Sequence, residues 1–327
     1  MNKINIAIIA GGYSGEYSVS LRSAQGILSW IDRELFTPYL VRIEPDGWWV
    51  DLPDGSVAVR KDCFGFEYAG IEVCFAYAYI TIHGTPGENG LMQGYLDMLG
   101  VPYNTGGVLC EALTFNKYFC NRYLGSFDSI RVARSARLKQ GLSQPSVSEL
   151  IHELGLPLFV KPNMGGSSVA TSRVDNSDEI QKAIDLAMEE SSEVLVEQFI
   201  PGMEVTCGCL VLGGELRALP ITEVITRNAF FDYNAKYHGE VEEITPARIS
   251  EALTVEIQAL TRAIYDYIDA EGIIRVDYII EPDGRPTLLE VNTTPGMTPT
   301  SFIPQQVRAA GLEMRDILTE IIQTKIK

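Results

Sequence analysis

The segment that most constrains the fold lies at the amino terminus. "INIAIIA", residues 4–10, is apolar at every position but Asn5 and lacks the alternation of a half-exposed strand. A strand of this kind belongs in a sheet covered on both faces. It runs into a glycine turn in "GGYSGEYSVSLRSAQGILSWI", which continues as a helix with Val19, Ile27 and Ile31 on one apolar stripe. A buried strand, a glycine turn and an amphipathic helix in succession predict an α/β fold.

The same grammar repeats along the chain. "EPDGWWVDLPDG" places two Pro-Asp-Gly turns around a short strand, a hairpin excursion. "VCFAYAYITIHG" reads as a second buried strand ending at His83-Gly84, "GENGLMQGYLDMLG" as a helix closed by Gly100, and "VPYN" as a short strand. Residues 106–201 read as a smaller unit. It has a helix around Lys117, the stretch "LPLFVKPNMGGSSVATSRV", a helix "SDEIQKAIDLAMEES" capped by Ser177, and the strand "EVLVEQFI" before Pro201-Gly202. Residues 202–327 carry the strands "EVTCGCLVL", "LRALPITEVI", "IIRVDYII" and "PTLLEVN", with helices at the end. Between them, "TRNAFFDYNAKYHGEVEEITPA" is a polar segment of a length that points to function or disorder. The 327 residues suffice for three such units, expected at 1–105, 106–201 and 202–327.

Charge and composition exclude several partners. A formal net charge of -17, with no basic run, opposes binding to nucleic acid or anionic lipid. No apolar run is long enough to span a membrane, and the amino-terminal one is too short for a signal segment. The expectation is a cytoplasmic protein. Cys63, Cys74, Cys110, Cys120, Cys207 and Cys209 form no C-x-x-C pair, and no His lies at zinc-ligand spacing. They read as small buried thiols in a reducing compartment.

The chemistry concentrates in "LLEVNTTPGM", residues 288–297. Glu290 and Asn292 are two apart and share a strand face. "RVDYIIEPDGRPTLLEVN" reads as a hairpin turning at Pro282-Asp283-Gly284-Arg285. A two- or four-residue loop centred there sets Asp277 opposite Glu290 and Arg275 opposite Asn292, all on one face. Opposed carboxylates repel. Arg275 offsets part of this, and a divalent cation offsets more. Oxygen-only donors favour Mg²⁺ or Mn²⁺ over zinc. By itself the pattern also fits a solvated hairpin end.

Two further stretches bear on nucleotide binding. "VKPNMGGSSV" puts Lys161 at a strand end before a Gly-Gly-Ser-Ser turn whose backbone N–H groups can approach phosphate. It is not a P-loop, since G-x-x-x-x-G-K-[ST] occurs nowhere, and "GGYSG" is not the dinucleotide fingerprint, which argues against a dehydrogenase. "VEQFIPGMEV" sets Glu197 and Glu204 around a strand-to-turn hinge able to face an adenine edge. Locally, the first stretch also reads as an ordinary hairpin and the second as a strand end with solvated charges.

Taken together, "GGYSGEYSVS", "IHGTPGENG", "PYNTGG", "NKYF", "KPNMGGSSV", "EQFIPGMEV", "DYNAKY", "RVDY" and "EVNTTPGMTPTS" resemble, in order and over essentially the whole chain, the D-alanine–D-alanine ligases of the ATP-grasp superfamily. The resemblance implies an α/β, three-domain ATP-grasp fold with a Rossmann-like amino-terminal domain, and nucleotide held between the second and third domains. It implies ATP-dependent joining of two D-alanines through an acyl phosphate, for peptidoglycan, by a homodimer.

By position, Asp277, Glu290 and Asn292 match the ligands of two Mg²⁺ or Mn²⁺ ions. Lys117, Lys161 and Lys236 match the lysines on the ATP phosphates. Glu197 and Glu204 match adenine and ribose contacts, with the Phe199-Ile200 backbone at the hinge. Glu16 matches the holder of the first substrate's ammonium, with Ser167 and Tyr237 as hydrogen-bonded partners and His83 facing the same substrate. Arg275 and the Gly296 N–H match the oxyanion donors. Ser301 matches a contact to the second substrate's carboxylate, and "AFFDYNAKYHG" a loop closing over the site. Phe302 stands where the family leads one to expect leucine, which leaves acceptor preference open. The alternatives are a ligase of this fold using D-lactate or D-serine, against the first of which Tyr237 argues, and an inactive nucleotide-binding regulatory protein.

Overall fold

A computed structural model of the chain describes residues 3–166, 169–226 and 241–326. The first sheet grows from β1 (Ile4–Gly11), whose residues Ile6 to Ala10 are fully buried. Helix α1 (Tyr17–Trp30) leads to β2 (Phe36–Glu44), which pairs parallel with β1. The two Pro-Asp-Gly turns form as expected, as two-residue connections into β3 (Gly47–Leu52) and β4 (Gly55–Ala58).

The apolar run that follows is not one strand. β5 (Gly65–Tyr68) and β6 (Ile71–Cys74) form a separate antiparallel hairpin, and only β7 (Tyr77–Ile80) joins β1, completing the order β4-β3-β2-β1-β7. The partner changes at the joint: Phe75 N–H bonds the Phe64 carbonyl, and Ala76 N–H bonds that of Asn5. β6 is largely exposed and β7 wholly buried, so a stretch that reads as uniform splits by environment. Helix α2 (Leu91–Leu99) ends on a left-handed Gly100, and "VPYN" is reduced to one parallel bridge, Ala78 to Tyr103.

Helices α3 (Val108–Phe115) and α4 (Lys117–Leu124) meet at Asn116, whose side chain accepts the Phe119 N–H at 3.1 Å. Lys117 is thereby the first residue of a capped helix rather than the middle of one. The second sheet, order β10-β9-β11-β8, is antiparallel and comprises β8 (Ser135–Lys139), β9 (Leu158–Pro162), β10 (Ser172–Val174) and β11 (Glu193–Gln198). Helices α5 (Val147–Leu154) and α6 (Ile180–Glu190) join its strands, and both pack into its core. Ser177 does not cap α6. It opens a 3-10 turn, Ser177–Glu179, and no side chain caps either start.

The third sheet runs β15-β14-β12-β16-β17, with β13 on the far half of β12. Its strands are β12 (Met203–Leu212), β13 (Glu215–Ala218), β14 (Thr222–Thr226), β15 (Val241–Ile244), β16 (Ile273–Ile280) and β17 (Pro286–Asn292). "LRALPITEVI" breaks at Leu219-Pro220 into β13 and β14, because proline cannot donate to the ladder. Helix α7 (Glu251–Tyr267) packs on this sheet together with Cys110, Cys120 and Leu124 of α3 and α4. Helices α8 (Phe302–Ala309) and α9 (Met314–Lys325) pack on its opposite face, against Leu210 and Ile273, and Gln306 of α8 bonds the β12 backbone at Thr206 and Gly208. They share a core with α1 and with Ile6, Ile8, Tyr77 and Tyr79 of the first sheet.

Cys110, Cys120, Cys207 and Cys209 are buried, and burial pushes the Cys120, Cys207 and Cys209 thiols up to about 12. Cys63 is only half-buried and Cys74 is exposed, contrary to the reading of all six as core thiols.

Candidate active site

The β16–β17 hairpin delivers the expected pairs, Arg275 with Asn292 and Asp277 with Glu290, but not by the expected route. Ile280 pairs with Pro286, and Glu281 N–H bonds the Arg285 carbonyl, so the turn is the three-residue Pro282-Asp283-Gly284 with Gly284 at φ +84°. That odd loop shifts the strands by one residue. A bulge between Asp277 and Tyr278, where Leu289 is the extra residue, shifts them back. The two offsets cancel at the carboxylates.

This strand end sits where two cavities meet. One, of about 430 Å³, lies between the second and third sheets. It is lined by Lys161, Glu197, Phe199, Ile200 and Glu204, among others. The other, of about 540 Å³, reaches from Glu16 and His83 to Asn292, Gly296 and Ser301. Lys117, Gly165, Gly166, Arg275, Glu290 and Phe302 line both.

Asp277 is 8% exposed, and both its oxygens are engaged. Oδ1 accepts from Thr206 Oγ1 at 2.6 Å and Arg275 Nε at 2.8 Å. Oδ2 accepts from Arg275 Nη2 at 2.8 Å and Asn292 Nδ2 at 3.0 Å. Burial by itself would lower the Arg275 pKa. Asp277 and then Glu290 more than reverse this, so the guanidinium keeps its proton. Its carbon lies 5.3 Å from the centre of the Phe302 ring. Lys117 Nζ lies 2.8 Å from Glu290 Oε1 and donates to the Gly165 carbonyl at 2.7 Å. Burial opposes its charge, but Glu290 outweighs it and the Lys117 pKa is raised.

On the second sheet, Lys161 Nζ lies 2.6 Å from Glu197 Oε2, while Asn121 Nδ2 donates to Glu197 Oε1 at 3.0 Å. Phe199 stacks at 6.4 Å on Phe159, with the Arg173 guanidinium carbon 4.4 Å from its centre. Glu204 pairs with Ile279 and Val224 across β12.

The first sheet reaches the same place through Glu16, at the start of α1. A Cβ on Gly166 would lie 2.3 Å from Glu16 Oε2, so glycine in the turn after β9 lets that carboxylate stand where it does, and a larger residue would push its flexible end aside. His83 is buried, with Nε2 3.3 Å from Ser23 Oγ. Burial lowers its pKa despite Glu16 nearby. In the turn after β17, the N–H groups of Met297 and Thr298 bond Ser23 Oγ and Ser301 Oγ at 3.2 and 3.1 Å. No hydrogen bond among the described residues uses the N–H of Gly296. Ser167, Lys236 and Tyr237, and the segment "AFFDYNAKYHG", lie outside the described residues.

Three carboxylates escaped the sequence reading. Glu88 sits inside "IHGTPGENG" and lines the second cavity. Its Oε2 accepts the Gly84 N–H and its Oε1 the Thr294 hydroxyl, both at 2.6 Å. Burial, with the Glu16 charge beside it, pushes it up to about 7. Glu111 on α3 is wholly buried and held far above the usual carboxylate range by burial; Thr293 Oγ1 donates to it at 2.6 Å. Glu243 on β15 lines the second cavity beside Gln305, whose amide bonds it, and partial burial raises its pKa. Glu88 lay in a quoted motif and Glu243 in the long polar segment, and nothing signalled Glu111 in advance.

Comparison with known proteins agrees with this geometry. The model of the family "D-ala D-ala ligase C-terminus" matches residues 129–323, more than half of the chain. A D-alanine–D-alanine ligase of Porphyromonas gingivalis is 59% identical over 324 residues, covering 99% of this chain and 98% of that protein. The D-Ala:D-Ser ligase VanG of Enterococcus faecalis superposes with a TM-score of 0.88 at 29% identity, over 99% of this chain and all of that one. A Bacillus anthracis D-alanine–D-alanine ligase solved in complex with ATP gives 0.76 at 27% identity, over 98% and 96%. The fold is the ATP-grasp, and this chain belongs to the D-alanine–D-alanine ligase family.

Proposed function

We propose that this chain uses ATP to join two D-alanines into D-alanyl-D-alanine for peptidoglycan. The observation that carries the reading is the Lys117–Glu290 and Arg275–Asp277–Asn292 network at the junction of the two cavities. One cavity fits a nucleotide and the other two small amino acids, and the phosphoryl group passes between them at that junction. The division at 1–105, 106–201 and 202–327 belongs to the proposal, supported by the sheets formed from β1–β7, β8–β11 and β12–β17.

In the first step the carboxylate of one D-alanine attacks the γ-phosphorus of ATP, giving D-alanyl phosphate and ADP. Lys117 and Lys161, with Lys236, hold the phosphates. Phe199, Ile200, Glu197 and Glu204 hold adenine and ribose. Glu16, with Ser167, Tyr237 and His83, holds the ammonium of this D-alanine. In the second step the amine of the other D-alanine, having lost a proton, attacks the acyl carbon, and phosphate leaves as the amide forms. Arg275 and the Gly296 N–H stabilise the oxyanion of the tetrahedral intermediate. Ser301 holds the second carboxylate, and Phe302 shapes its pocket.

Asp277, Glu290 and Asn292 fit Mg²⁺ or Mn²⁺. They offer oxygen donors, and Asn292 uses its amide nitrogen on Asp277, which leaves its Oδ1 for a cation. Such ions would neutralise charge on the phosphates. No helix among the described residues is long and apolar enough to cross a membrane. A cytoplasmic homodimer completes the proposal on the strength of the resemblance.

The test is D-alanine-dependent phosphate release from ATP, with products separated after incubation with D-alanine, D-serine and D-lactate. D-Alanyl-D-alanine as the main product is the expected result. No phosphate release would support the inactive regulatory protein, and a dominant ester or D-alanyl-D-serine would reassign the acceptor.

A further inference from the structure

The β5–β6 hairpin lies apart from both cavities, and none of its residues lines either. Cys63 precedes β5 and Cys74 ends β6. The Arg60–Gly65 bridge and the Gly65–Cys74 pairing fold these segments together, and the buried Phe64, at φ +46°, turns the chain between Cys63 and β5. Glu72 is two residues from Cys74, on the same face of β6. The two sulfurs and a Glu72 carboxylate oxygen consequently lie within 4.8 Å of one another.

Two thiols and a carboxylate at that spacing match the donor set of a thiophilic divalent cation. Tetrahedral zinc, with bonds of about 2.3 Å to sulfur and about 2.0 Å to oxygen, holds its donors roughly 3.5–3.8 Å apart. Small side-chain rotations reach this from the observed cluster. Glu72 is already oriented: Arg60 pairs with one of its oxygens and with Asp62 at 3.1 Å, the kind of support that metal-bound carboxylates receive. The Glu72 and Asp62 charges outweigh that of Arg60, so the cluster attracts a dication before either thiol gives up its proton.

We propose that Cys63, Glu72 and Cys74 form a surface site for zinc or a chemically similar thiophilic cation, with water completing its coordination. It differs in kind from the oxygen-only set of Asp277, Glu290 and Asn292, which suits hard cations. Bound metal would tie the end of β6 to the turn before β5, and binding releases the thiol protons.

Cobalt(II) tests this, because thiolate ligation gives a near-ultraviolet charge-transfer band that carboxylates and amides do not. The full chain, reduced and freed of reductant without air, is titrated with Co²⁺ in excess Mg²⁺. One equivalent should produce the band, together with strong visible d–d absorption, and one equivalent of Zn²⁺ should abolish both. Cys63→Ser and Cys74→Ser should each remove the band. Glu72→Gln should retain it with Co²⁺ bound at least about tenfold more weakly. Near-ultraviolet circular dichroism like that of the parent chain certifies the fold of each variant. Absence of the band in the parent, or its survival in the double serine variant, overturns the site. A Cys63–Cys74 disulfide in the isolated protein, with no cobalt band after reduction, overturns it as well.

Discussion

Glu88 offers the sharpest test of the electrostatics in the second cavity. Its folded-state value of about 7, against 4.5 when unperturbed, means that between these pH values the folded protein holds a proton the unfolded chain has released. Stability conferred by that proton is complete below pH 4.5 and is lost as pH rises through 7. A displacement of this size is worth about 3 kcal/mol. Glu88→Gln copies the protonated acid in shape and cannot ionise. It can still accept the Gly84 N–H while its amide donates to Thr294, whose hydroxyl can turn to the Ile82 carbonyl 3.5 Å away. The rearranged hydrogen bonds cost about 1 kcal/mol. The variant should therefore be about 1 kcal/mol less stable than the parent near pH 4.5 and about 2 kcal/mol more stable at pH 8. His83 works in the opposite sense: its lowered value stabilises the folded protein above pH 6.5 and is lost on acidification. Both proteins share that effect, so the difference between their urea unfolding curves, taken from pH 4.5 to 8, reports Glu88 together with its repulsion of Glu111. Parallel stability profiles would show that Glu88 is an ordinary carboxylate held ionised by its two donors, and the reasoning would fail.

Three further substitutions probe the junction of the cavities. Glu290→Gln keeps shape but removes the charge opposite Lys117 and the proposed metal charge balance; turnover in Mg²⁺ should vanish with the fold intact by circular dichroism, and near-parent activity would remove Glu290 from the metal set. Arg275→Ala should lower kcat by roughly a hundredfold, about 3 kcal/mol, with little change in KM for ATP. It should also destabilise the fold by about 3–5 kcal/mol by stranding Asp277, so kinetics are read only on protein shown to be folded, and a pure KM effect would make Arg275 a structural partner alone. Phe302→Leu removes the ring against the Arg275 guanidinium, an interaction of about 0.5–2 kcal/mol; KM for the second D-alanine should shift while that for ATP stays, and equal shifts would place the ring in the general core.

The α/β architecture was legible because buried strands such as β1 show unbroken apolar runs, and the face shared by Arg275, Asp277, Glu290 and Asn292 because strand periodicity is rigid. The path to that face was not legible. An odd turn and a bulge cancel, and both depend on backbone geometry at Gly284 and Leu289 that the residue pattern does not encode. The break between β6 and β7 was hidden for a related reason: apolar side chains look alike whether a sheet or a hairpin receives them. Residue roles came from family resemblance, and a role missing from the matched positions, such as that of Glu88, stayed invisible. Glu111 and Glu243 acquire their character from burial, and Cys63 and Cys74 from a hairpin closing; none of these is local in sequence.

The core shared by the first sheet, α1 and the two terminal helices has a consequence during synthesis. Ile6, Ile8 and Ala24 leave the ribosome long before Val307, Ile317 and Leu318, which complete their core. The parallel strands β1, β2 and β7 can pair and receive α1 as they emerge, but the rest of this core stays wet until α8 and α9 follow. Closing so long a separation is slow, and the exposed apolar face is open to aggregation in the interval. A nascent chain stalled before α8 should accordingly recruit apolar-binding chaperones through this face, and release of the final helices should end that dependence.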